Sequence, residues 1–92
     1  MKITFETLSD LNDPRERVLV VEHFVQDLCR ACGEDPADGA MMLLTSAALV
    51  AMKHGGVPKG EVLTVLMTAL GHATDAAGHW WGEKYPAPAL HS

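Results

Sequence analysis

Cys29-Arg30-Ala31-Cys32 is a C-x-x-C. In redox proteins such a pair sits at a helix N-terminus, where the dipole lowers a thiol pKa. Here the helical pattern puts it in the last turn of a helix, at the negative end of the dipole. That position disfavours the thiolate. The reading is of two small apolar side chains closing a core at a helix end. Two cysteines three apart cannot staple distant parts of a fold, and in a reducing compartment they are thiols.

His72, Asp75 and His79 are the other residues that could do chemistry. The pairs 72/75 and 75/79 are helical neighbours, so a carboxylate could orient an imidazole or raise its pKa. With the cysteines they also form a metal alternative. Cys29, Cys32, His72 and His79 would make a two-thiolate, two-imidazole zinc set. The spacing weakens it, because two helical turns separate the histidines by roughly 10.5 Å. The expectation is therefore no metal and no cofactor, with these histidines on a solvated polar face. The chain offers no nucleophile beside a base, no phosphate-cradling Gly-rich loop and no paired carboxylates in a cleft. It reads as a non-enzyme.

Residues 52–62, MKHGGVPKGEV, resemble the turn of a helix-turn-helix motif, and a DNA-binding regulator is a second alternative. Such a protein reads bases and phosphates with Arg, Lys, Asn or Gln on the second helix. The expected exposed positions here are Lys59, Thr64, Thr68 and Asp75, with no Arg. The net charge of −5, from 12 acidic and 7 basic residues, also speaks against nucleic acid and against an anionic membrane surface.

The elements that hold these residues follow from local patterning. Asp13-Pro14-Arg15-Glu16 is a helix start, with Asp13 as cap, Pro14 at the first position and Glu16 as capping-box partner. Val18, Val21, Val25, Leu28 and Cys32 then form a stripe, widened by Val20, Phe24 and Cys29; Leu19 breaks the pattern. Gly33 ends a helix over about 14–32. Asp35-Pro36 repeats the start chemistry for a helix over 36–54, stopped by Gly55-Gly56. A third helix runs over 58–81. Its apolar side is Val62, Leu63, Leu66, Ala69, Leu70, Ala73, Ala77 and Trp80, and Gly71 and Gly78 suggest a bend or fraying near Gly78.

The second helix carries the stretch AMMLLTSAALVAM, with Thr45 and Ser46 its only polar members. A helix apolar nearly all round must be covered nearly all round. The rows Ala47/Ala51 and Ala69/Ala73/Ala77 are expected to face each other, since small side chains let helices approach closely. Trp80 and Trp81 are expected to close the bottom of the core, or to anchor a partner.

The predicted fold is all-α, a three-helix up-down-up bundle in one domain, residues 1–92. Met1 to Leu8 alternates like a short extended segment, and the tail 82–92 is Pro-containing. The N-terminus lacks an apolar signal region and the central run is too short to span a bilayer, so a cytoplasmic protein without membrane partners is expected. The functional expectation is a small interaction or regulatory module. It is expected to pair with itself as a homodimer through Met42, Leu49 and Trp81, and to bind a further protein partner not identified by the sequence.

Overall fold

The computed structural model describes residues 11–85. The fold class is all-α, with three helices: α1 is Pro14–Ala31, α2 is Gly39–Lys53 and α3 is Val62–Trp81. No strand occurs among the described residues. The expected extended segment at 1–8 and the tail beyond Tyr85 lie outside them. Contacts divide the chain into two compact units, Met1–Leu44 and Thr45–Ser92, with the division inside α2.

The first unit is organised by its caps. The Arg15 N–H donates to the Asp13 carboxylate (2.9 Å), with Pro14 in the first turn where its missing N–H costs nothing. α1 ends in a Schellman motif one residue before the expected end. Gly33 takes φ +74, its N–H donates to the Arg30 carbonyl, and the Glu34 N–H donates to the Cys29 carbonyl (2.8 Å). The Ala37 N–H then donates to the Asp35 carboxylate (2.9 Å). Here Asp35 caps a 3-10 turn, Pro36–Asp38, that feeds α2 from Gly39 onward.

Among the described residues of this unit, the buried ones lie where the C-terminal half of α1 meets that turn and the start of α2. Val25, Cys29 and Gly39 are buried. Gly39 is the reason for the close approach: a Cβ on it would stand 2.5 Å from Val25 Cγ1 and 3.5 Å from Cys29 Sγ. Val18 and Val21 lie on nearly the same face as Val25 but one or two turns away from Gly39, and both are exposed. Cys32, expected in the core, is also exposed, because it lies past the last turn of α1 as its C-cap. Leu19, which broke the stripe, is half-buried.

In the second unit α2 ends at Lys53. Gly56 takes φ +66 and the Val57 N–H returns to the Ala51 carbonyl (3.1 Å). A 3-10 turn, Lys59–Glu61, follows Pro58, so α3 proper begins four residues later than expected. α3 runs through Gly71 and Gly78 to Trp81 without a break. Two glycines cost the helix about 1 kcal/mol each, which a twenty-residue helix without proline tolerates.

Two packing expectations are corrected. Ala47 and Ala51 are half-buried, but Ala69, Ala73 and Ala77 are all exposed, so the two alanine rows do not pack face to face. A small-residue row permits a close approach; it does not by itself supply the attraction. Nor is α2 covered all round. Leu43, Leu44, Leu49 and Val50 are exposed, and so are Met41 and Met52.

Candidate functional site

The cysteine pair separates into two environments. Cys29 is fully buried, against Gly39, and burial pushes its thiol pKa up. The carboxylates of Glu34 and Asp38 push it further the same way, followed by Cys32 and Asp35. A thiol held neutral and shielded is neither a nucleophile nor a ready metal ligand. Cys32 is exposed, and both cysteines are free. Arg30, between them, faces outward beside Asp27, with 3.9 Å between their charged atoms in an exposed pair. The expected helix-end position of the motif is correct; the shared burial of the two sulfurs is not.

His72, Asp75 and His79 are all exposed on α3, as are Thr64 and Thr68; Lys59, in the preceding 3-10 turn, is exposed too. Cys29 and Cys32 belong to the first unit, His72 and His79 to the second. No group of three or more His, Cys, Asp or Glu side chains among the described residues stands together as a metal site. No described helix is long and apolar enough to cross a membrane.

Large apolar side chains are exposed in each unit, Met41 in the first and Leu49, Leu63, Met67 and Leu70 in the second. Leu63 is 71% exposed, Met41 69%, Met67 64%, Leu49 56% and Leu70 47%. Of the three expected interface residues, Leu49 is exposed, while Met42 and Trp81 are half-buried. Trp81 meets Trp80 edge-on, with ring centroids 5.5 Å apart and planes at 71°. Just beyond them Lys84 Nζ lies 5.6 Å from the Tyr85 ring centre, on exposed residues. Sequence reading left Met67 unassigned and joined Leu63 to the inward side of α3. The signal that separates them is a four-three spacing running through Leu63, Met67 and Leu70.

The sequence matches no protein-family model, and comparison with known proteins and with solved structures finds no significant match.

Proposed function

We propose that this protein is a non-enzymatic interaction module that works as a homodimer, with the apolar sides of α2 and α3 as its working surface. The observation that carries this reading is α2 itself. Its apolar residues point to every side, and Leu43, Leu44, Leu49 and Val50 are exposed. Large apolar side chains left open in such number mark a surface that a partner covers. A fully buried Leu or Val gains about 1.5–3 kcal/mol over an exposed one, so several such residues supply a strong drive to associate. A second copy presents the same surface and buries both at once. Two free thiols suit a reducing cytoplasm as the setting.

Sedimentation equilibrium at tens of micromolar tests the reading. The expected mass is near twice 9.9 kDa. Leu49→Glu should shift the equilibrium toward monomer, because a buried carboxylate at an apolar contact is costly. A wild-type mass near 9.9 kDa overturns the homodimer.

A further inference from the structure

α3 carries two distinct apolar faces. Val62, Leu66, Ala76 and Trp80 are half-buried and lie within about 80° of arc. A second face follows the interval four-three-four-three-four: Leu63, Met67, Leu70, Thr74, Ala77 and Trp81. That is a heptad seam of alternating a and d positions, roughly 27 Å long. Its first five residues are exposed and Trp81 is half-buried.

We propose that a second copy of this chain covers this seam with its own α3, running antiparallel and centred on residue 72. This deepens the homodimer reading and rests on it. The first argument is size. In that register each d position meets an a position of the other copy. Leu63 meets Trp81, Met67 meets Ala77, and Leu70 meets Thr74. Met67–Ala77 and Leu70–Thr74 each set a large side chain against a small one, which is how facing layers fill space evenly. A parallel pair would instead stack Ala77 on Ala77 and Trp81 on Trp81, leaving one layer empty and one overfull.

The second argument is polarity. Thr74 is the one seam residue with a hydroxyl, and that hydroxyl already donates to the Gly71 carbonyl of its own helix (3.0 Å). It can be buried in the pair without an unmet hydrogen bond. The third is charge. Of the 20 residues of α3 only Asp75 is an Asp, Glu, Lys or Arg, and it lies away from the seam. The chain's net charge of −5 therefore does not oppose this contact. The fourth is access. Gly71 and Gly78 flank the seam on one side with open space where a Cβ would stand. In an antiparallel pair these flanks meet each other, so the backbones can approach closely there.

The test uses the full chain with Cys32→Ser, since Cys29 is buried. Met67→Cys with Ala77→Cys in one chain should form a covalent dimer under mild oxidation, because residue 67 faces 77 of the other copy at both ends. Ala77→Cys alone should not. Met67→Glu should lose the dimer in sedimentation equilibrium. Far-UV circular dichroism follows helix content; if Met67→Glu also loses its helices, the cross-linking result alone decides. Cross-linking by Ala77→Cys alone overturns the antiparallel register. A wild-type dimer that survives Met67→Glu, with no cross-link in the double variant, overturns the seam and leaves the homodimer standing. A wild-type monomer overturns both.

Discussion

Gly39 is the residue whose identity matters most within the first unit. Gly39 opens α2 in helical conformation, and a glycine inside a helix replaced by alanine usually gains about 0.5–1 kcal/mol. Here the sign reverses, because the added methyl would stand 2.5 Å from Val25 Cγ1. Gly39→Ala should destabilise by about 1–3 kcal/mol through overpacking. Val25→Ala removes the opposing methyl, so the second substitution should cost much less in that background. Urea unfolding of the four proteins of this double-mutant cycle checks the coupling; a stabilised Gly39→Ala would show that the helices do not meet there. Cys29 gives a second test at this scale. Its thiol stays neutral in the fold, while in the unfolded chain it ionises near about 8.5. Above that pH the unfolded state sheds a proton that the folded state keeps. The stability contributed by the neutral thiol is therefore complete below the unfolded pKa and declines as pH rises toward the raised folded value. In a Cys32→Ser background, melting temperature should fall more steeply above neutral pH than in Cys29→Ala. A thiol reagent should modify only Cys32 in the native protein, and both cysteines in denaturant. Rapid native modification of Cys29 would contradict its burial.

At the scale of the element, the helices are set by their ends. Asp13→Ala removes the acceptor for the Arg15 N–H and should cost about 1 kcal/mol. Gly33→Ala forces a side chain into φ +74, a left-handed conformation that costs roughly 1–2 kcal/mol without a glycine. Both losses should appear as lower thermal midpoints by circular dichroism. These positions were legible in advance because a cap is a local device: Asp13, Pro14, Gly33, Asp35 and Gly55-Gly56 act on backbone groups within a few residues. The 3-10 turns at Pro36–Asp38 and Lys59–Glu61 were not legible. They have the same start residues as an α-helix and differ only in whether bonds reach three or four residues back, which the following packing decides.

For the whole molecule, self-association makes stability depend on concentration. If the dimer buries the open sides of α2 and α3, the melting temperature should rise steadily over about a hundredfold range of protein concentration. A midpoint that does not move would mean that the chain folds without a second copy. Leu49→Glu should remove the concentration dependence if α2 contributes to the interface, and Met67→Glu should do so if the α3 seam does.

The sequence by itself determined the all-α class, the three helices to within a few residues, and the helix-end position of Cys29 and Cys32. Those features rest on backbone hydrogen bonds and caps, which are directional and short-ranged. The tertiary structure decided that Cys29 is buried and Cys32 is not, that Gly39 rather than an alanine row makes the close contact, and that Leu63, Met67 and Leu70 face outward on α3. Apolar burial has no direction of its own. A helix with more apolar surface than one neighbour can cover has several comparable ways to lie. Which side is covered is settled by the residues it meets, and those lie far away in the chain.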